Sequence, residues 1–395
     1  MIIICAGWVC FGSCFKSTVS SLDREDVFNL DIGRLEDQID LYNLEGSRST
    51  RKTRIAMRDG LFYISDGNGE IIVRYTSYGD LLFMIYNEET NPPPLTLRTD
   101  VEASAAVTRW AFSYPLREPG EIVVDTRKHI YAEDRLPYER HAFDTEQKVL
   151  LDSVVLHFDQ DGRFLEYLGQ EGIGGSPFPR IEELYTSLED ELAVVCRIPL
   201  GWNIYWFDTA GTLLYLIHLR NEALPVPADR RVIASVDSVA AAPDERKLYL
   251  KVNYYHEIFD ESQAVIGVEP DSSVIWIMDI ETGGYVETLE VPFFEYVIDE
   301  NNRRETANLF YSMLGVIKGG RVFLTFPSEG GYSVLVLTVN SAQRRRGFIR
   351  VEPDELEYNT FDLSEDGILS GLLASYWQVK LVWWRTDELM GLLGP

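Results

Sequence analysis

Tyr205-Trp206-Phe207-Asp208-Thr209-Ala210-Gly211-Thr212-Leu213-Leu214 is the stretch on which the reading of this chain turns. Two apolar runs flank a short polar turn. Glycine supplies the positive φ that a tight hairpin needs, and the Asp side chain can bond the turn backbone. The same unit recurs at Val73 to Leu82, with Thr76 and Gly79, and at Leu156 to Leu165, with Asp159 and Gly162. A fourth copy, one residue longer, runs from Trp276 to Val286 with its turn glycine at Gly284.

Each copy reads as an outer hairpin preceded by an inner one. In the first unit the inner pair is Thr53 to Arg58 and Leu61 to Ser65, with a turn at Asp59-Gly60. Further inner pairs fall near 120–135, 180–198, 233–256, 310–329 and 356–378, and outer pairs near 152–169, 203–219, 273–292 and 331–352. The last unit ends at Val379 to Arg385 and lacks its outermost strand, which Val27 to Ile32 can supply. Four-stranded units repeating every 40–60 residues are the pattern of a propeller, and closing the ring removes its sheet edges. The expected fold is therefore all-β: a β-propeller of about six four-stranded blades over residues 27–395, closed by an N-terminal strand. Insertions near 91–116, 135–151 and 254–272 interrupt the regular spacing.

The run Asp59-Gly60-Leu61-Phe62-Tyr63-Ile64-Ser65-Asp66-Gly67-Asn68-Gly69-Glu70-Ile71-Ile72-Val73-Arg74-Tyr75 resembles an NHL repeat. Asp161-Gly162-Arg163-Phe164-Leu165 resembles the end of the same repeat, whereas later copies lack its Asn-x-Arg signature. Gly33 to Leu41 and Ser77 to Leu82 look like segments of an uncharacterised spirochaete lipoprotein family, a resemblance that covers mainly residues 14–100. It implies a lipoprotein propeller and no known activity.

The N-terminus bears on location. Ile2 to Phe11 is an apolar run of about ten residues, too short to span a bilayer at about 20 residues but suited to a signal peptide. Phe11-Gly12-Ser13-Cys14 follows and resembles the lipobox of bacterial lipoproteins in its relaxed spirochaete form. By that resemblance, residues 1–13 are a signal peptide, Cys14 carries the lipid and residues 14–26 form a tether. The pattern departs from the usual one in having no Lys or Arg ahead of the apolar run. The expected address is outside the cytoplasm, anchored in the cell envelope at its periplasmic or outer surface. Once Cys5 and Cys10 leave with the signal, Cys196 is the one thiol that remains free, so no disulfide framework is expected; its apolar run predicts a packing role.

The formal net charge is −27, from 63 acidic and 36 basic residues. That balance repels phosphate backbones and anionic lipid, so nucleic acid is excluded as a partner and membrane contact is expected through the lipid anchor alone. The basic cluster Arg344-Arg345-Arg346 reads as a solvated turn.

Few residues announce chemistry. Asp66, Asn68 and Glu70 alternate in a way that could offer oxygens to calcium, but the turn supplies fewer ligands than calcium takes, and no cofactor is expected. The histidines, His129, His141, His157, His218 and His256, show no metal-ligand spacing, and no nucleophile elbow or phosphate loop is present. No catalytic residue is assigned. The 135–151 and 254–272 insertions both join the second and third strands of their blades, which places them on one face of the ring. They carry Tyr138, His141, Phe143, Tyr254, Tyr255, His256 and Phe259, aromatic and imidazole groups suited to contact. The expected function is a binding or assembly module for a protein, peptide or glycan at the envelope. The competing expectation is a metal-assisted hydrolase or lyase in the channel, which would require three or more acidic or His ligands to converge there.

Overall fold

A computed structural model of the chain describes residues 20–42, 49–99, 109–226, 232–300 and 303–390. Residues 1–13, read above as a signal peptide, and Cys14 lie outside these residues. Six antiparallel sheets follow one another along the chain. Blade 1 comprises Thr53–Arg58, Leu61–Asp66, Ile71–Thr76 and Leu81–Tyr86; blade 2 comprises Ile122–Val124, Ile130–Arg135, Ser153–Phe158 and Phe164–Gly169. Blade 3 is built from Ile181–Thr186, Leu192–Ile198, Gly201–Phe207 and Leu213–Arg220, and blade 4 from Ile233–Ala241, Lys247–Phe259, Val265–Asp279 and Tyr285–Val291. Blade 5 holds Ser312–Ile317, Arg321–Ser328, Gly331–Thr338 and Arg344–Arg350, and blade 6 holds Tyr358–Leu363, Ile368–Ala374 and Gln378–Arg385. Arg24–Ile32 completes blade 6 by pairing antiparallel with Gln378–Arg385. The chain is thus a six-bladed β-propeller closed by its N-terminal strand.

Alternation along each strand explains why the ring holds. In blade 3, Leu192, Val194 and Cys196 face blade 2, whereas Ala193 and Val195 face blade 4. Every neighbouring pair of blades shares one apolar cluster, down to the blade 6–blade 1 junction, where Leu30, Leu372 and Leu381 meet Ile55, Phe62 and Val73. Full burial of one such Leu, Ile or Phe contributes about 2 kcal/mol, and no blade could achieve it alone. Cys196 is fully buried, and burial pushes its thiol well above the usual range.

The recurring turn works as its residues suggest. Asp208 Oδ1 accepts the Ala210 and Thr212 N–H groups at 2.9 and 2.8 Å, and Asp159 Oδ1 accepts those of Asp161 and Arg163, both at 2.9 Å. Gly211 adopts φ +74°, and a Cβ there would come within 2.9 Å of Leu168 and Ile173 on blade 2. The glycine therefore serves both the turn and the approach of the preceding blade. In the longer copy the left-handed residue is Gly283 (φ +66°) rather than Gly284.

Several boundaries differ from the sequence reading. The propeller begins at Ser20 rather than Val27, because Ser20–Ser21 pairs parallel with Gly347 and Phe348 and Leu22 is buried. Residues 20–26 therefore belong to the sheets, not to a tether. Arg344 to Arg346 open the outer strand of blade 5, with the turn just ahead of them. The 254–272 insertion is an extended hairpin made by overlong strands, and an unexpected second hairpin, Phe294–Glu300 with Arg303–Leu309, stands between blades 4 and 5.

Candidate functional site

Two regions concentrate side chains outside the cores between blades: the axial channel and one of the two faces. Antiparallel order fixes which face is which. Turns between second and third strands, and the links between blades, emerge on one face, called the upper here; the remaining turns emerge on the lower.

The channel is a cavity of about 480 Å³ lined by the inner strands, with Arg54, Glu121, Glu183, Tyr185, Tyr358 and Asp362 among its residues. On the blade 1 side its charges are spent on holding strands together. Arg54 Nε donates to both Glu121 carboxylate oxygens at 3.0 Å. Lys52 Nζ donates to Glu133 Oε2 at 2.7 Å, to the Ile181 carbonyl at 2.8 Å, and lies 3.0 Å from Glu121 Oε1. Burial disfavours the Lys52 charge, but Glu133 and Glu121 outweigh it and raise its pKa. Tyr358 Oη accepts the Thr53 N–H at 3.1 Å and donates to the Thr53 carbonyl, tying blade 6 to blade 1. Asp362 Oδ2 accepts the Met57 N–H at 2.9 Å in the same junction.

The other side of the channel is less committed. Glu183 is accessible from the channel; the surrounding protein and the nearby Glu121 charge push its carboxyl above the ordinary range. Burial likewise brings Asp362 to about 7 and drives Tyr185 well above its ordinary value. Raised carboxyls inside a cavity are candidates for acid–base work. Among the described residues, however, no three His, Cys, Asp or Glu side chains converge to hold a metal.

The histidines sit elsewhere. His129 Nδ1 and His157 Nε2 lie 2.9 Å apart, and His157 Nδ1 lies 3.1 Å from Glu166, in a row across blade 2. Burial lowers the His157 pKa. His218 bonds Asn203 Oδ1 at 2.8 Å, and none of the five lines the axial cavity. Asp66 is fully buried and accepts the N–H groups of Asn68, Gly69 and Asp40. Glu70 meets Arg51, Asn87 and Thr90. Ser49 Oγ donates to Asn68 Oδ1 at 3.2 Å, so the side-chain oxygens of all three are taken up within the hairpin and by its neighbours.

The upper face carries the elaborations. One is the small hairpin Ala142–Asp144 with Val149–Leu151, entered through a 3-10 turn at Tyr138–Arg140. Tyr138 is 83% exposed and Phe143 61%, while His141 turns back to the Leu136 carbonyl at 2.9 Å. The second is the blade 4 hairpin. At its root Tyr254 is fully buried, donating to the Pro225 carbonyl at 2.6 Å and accepting from Trp276 Nε1 at 2.9 Å, so it belongs to the interior and not to a contact surface. Tyr255 packs edge-on against Phe310 at 5.5 Å, His256 Nε2 lies 2.6 Å from Asp271, and Phe259 is exposed near the tip. The Phe294–Leu309 hairpin adds exposed Tyr296 and Val297, and the tight turn of blade 6 adds Trp377, 85% exposed. Trp377 escaped the sequence reading because it lies in an aromatic, strand-rich segment, next to Tyr376 and just before Trp383-Trp384, that looks like core. The channel residues escaped it because each inner strand contributes only one or two, many tens of residues apart.

No family model and no curated protein matches the chain. Among solved structures, it is similar to the polysaccharide lyase Uly1, at 11% identity over 93% of this chain and 100% of that chain, with a TM-score of 0.44. It is also similar to the Dos1 propeller, at 11% identity over 88% and 82% of the two chains and a TM-score of 0.39. The WD40 domain of Toxoplasma gondii coronin gives 8% identity, 92% and 86% coverage, and a TM-score of 0.36. Likenesses this distant leave the fold resting on the chain's own sheets and assign no activity.

Proposed function

We propose that this chain is an exported, lipid-anchored propeller, NHL-like in origin, that works as a binding and assembly module at the cell envelope. Its upper face would hold a protein, peptide or glycan. The observation that carries this reading is that the blade 2 hairpin, the overlong blade 4 hairpin and the hairpin between blades 4 and 5 all rise from one face. They display Tyr138, Phe143, Phe259 and Tyr296, and Trp377 joins them from the turn of blade 6. Loops and extensions on a rigid scaffold are where function is added, and exposed aromatics are enriched at contact surfaces. The anchor would be Cys14, and the acidic body argues against nucleic acid as partner.

The test compares two sets of variants in envelope capture and on glycan arrays. Tyr138→Ala, Phe143→Ala and Trp377→Ala should each lower retention of the same ligand at least tenfold, while Tyr78→Ala on the lower face should not. Equal loss or equal retention across both faces overturns the reading. Loss of radiolabelled palmitate from Cys14→Ala, and not from Cys10→Ala, tests the anchor.

The competing reading, catalysis in the channel, draws on Glu183 and Asp362, whose carboxyls are raised above the ordinary range, Asp362 to about 7. Metal content of the chain purified without chelator discriminates: a stoichiometric transition metal or calcium ion would favour a hydrolase or lyase, and its absence would leave any channel chemistry to acid–base work by these two groups.

A further inference from the structure

The long hairpin of blade 4 overshoots its own sheet. Ile233, the first residue of the inner strand, pairs with Tyr255, and Val291, the last of the outer strand, pairs with Ser273. Beyond those pairs Val265 to Ser272 bonds only to its hairpin partner, so its outer edge presents backbone groups with no further strand beside them among the described residues. Pro270 has no N–H to offer, which confines the usable edge to Val265–Glu269. The register puts Glu257 opposite Val268 and Phe259 opposite Val265, so these four side chains share one face of the hairpin. Phe259, Val265, Ile266 and Val268 are exposed.

The charge of this stretch is one-sided. From His256 to Asp271 it carries Glu257, Asp260, Glu261, Glu269 and Asp271 and no Lys or Arg. A bare apolar edge would invite pairing between copies of the same chain, and like charge is a common means of preventing it. Two copies of this hairpin would set carboxylates against carboxylates on a body already at −27. The surface is therefore complementary to a cationic strand and repels its own twin.

We propose that Val265–Glu269 is a strand-addition site for an extended segment of a partner protein in which Lys or Arg alternates with apolar residues. Backbone bonds to the free edge would give the register. Val265 and Val268 would receive the apolar side chains on one face of the edge, and Glu269, on the other face, would receive the cations. This inference rests on reading the upper face as a contact surface.

The test uses the whole chain and a fluorescein-labelled hexapeptide of alternating Lys and Val, with the Glu–Val peptide as control. The Lys–Val peptide is expected to bind, to weaken about tenfold as salt rises through the range where the Debye length falls below about 10 Å, and to protect the Val265–Glu269 amides from exchange. Val268→Pro should abolish that protection, and Glu269→Lys should weaken the Lys–Val peptide and favour the Glu–Val peptide instead. Salt-sensitive binding without protection at these amides, or binding unchanged in Val268→Pro and in the charge-reversed variant, overturns the site. If envelope capture then still depends on Tyr138, Phe143 and Trp377, the broader contact reading survives without this edge; if it does not, both fall.

Discussion

The channel and the upper face invert the usual placement of charge. Beside the axis, Arg54 and Glu121, which line the cavity, form a bonded network with Lys52 and Glu133; on the open face, aromatic and aliphatic side chains stand in solvent. Charges inside are tolerable only when paired, so the channel set is bound up in joining inner strands. Apolar groups outside are affordable only where something else covers them or where they are few. The contrast ties the channel charges to holding the ring together and agrees with the contact role proposed for the face, and each can be attacked separately.

The largest effect should come from removing residues 20–32, so that the chain starts at Gly33. That exposes the edge of Gln378–Arg385 and strips Leu22 and Leu30 from buried positions. Two leucines at about 2 kcal/mol each, together with the lost strand pairing, put the expected cost above about 5 kcal/mol. Chemical unfolding and size-exclusion chromatography should show an unstable, self-associating chain. A monomer with an unchanged midpoint would show that the ring does not depend on its closing strand.

Next is Lys52→Met, which leaves Glu133 buried and without its ammonium partner. Breaking a buried pair in this way costs about 3–5 kcal/mol, read as a lower urea midpoint. If the loss is below about 1 kcal/mol, the channel charges are not structural, and a ligand-binding role for them gains ground.

How much of this was legible in the sequence depends on which residues carry the geometry. The hairpins at Asp159 and Asp208 were readable because Asp and Gly mark the turn directly. The same five-residue turn recurs at Asp260 to Ala264, where Asp260 Oδ1 accepts the Ser262 and Ala264 N–H groups at 2.8 and 2.9 Å, but Gln263 takes the left-handed position at φ +64°. Lys128 and Asp190 do likewise at φ +68° and +62°. A reading keyed to glycine therefore saw a loop at 254–272 where the chain forms a hairpin. Closure by Val27 to Ile32 was visible from the missing strand of blade 6, but its extension back to Ser20 was not, since Leu22 is a single apolar residue among polar ones. The channel set was invisible for a different reason: Arg54, Glu121, Glu183 and Asp362 meet only after the ring has closed.

The latch on that closing strand gives the third prediction. Arg24 donates to the two Glu355 oxygens at 2.6 and 2.8 Å, and Lys380 donates to Oε1 at 2.8 Å. Burial alone would raise the Glu355 pKa, but these donors outweigh it and hold the carboxyl down at about 2. A depressed carboxyl stabilises the fold above its unfolded value and loses that contribution as pH falls. Stability should therefore drop between about pH 4.5 and 2, by about 3 kcal/mol on the linkage relation. Arg24→Leu should flatten this acid limb while leaving the upper-face variants' binding intact. An unaltered limb would move the acid sensitivity to another carboxylate.

The smallest effect on stability should come from the face itself. Phe259 lies five residues beyond Tyr254 on the same strand, yet Tyr254 is sealed in the interior with both hydroxyl bonds made, whereas Phe259 is 45% exposed near the tip. Phe259→Ala and Trp377→Ala should each move the unfolding free energy by less than about 0.5 kcal/mol, the range of surface substitutions that break no buried feature. A side chain that the fold does not need is available for the contact role proposed for this face. Should either substitution instead destabilise the ring by a full kcal/mol or more, its side chain is cover for the core. The face would then have lost the feature that distinguishes it from the channel.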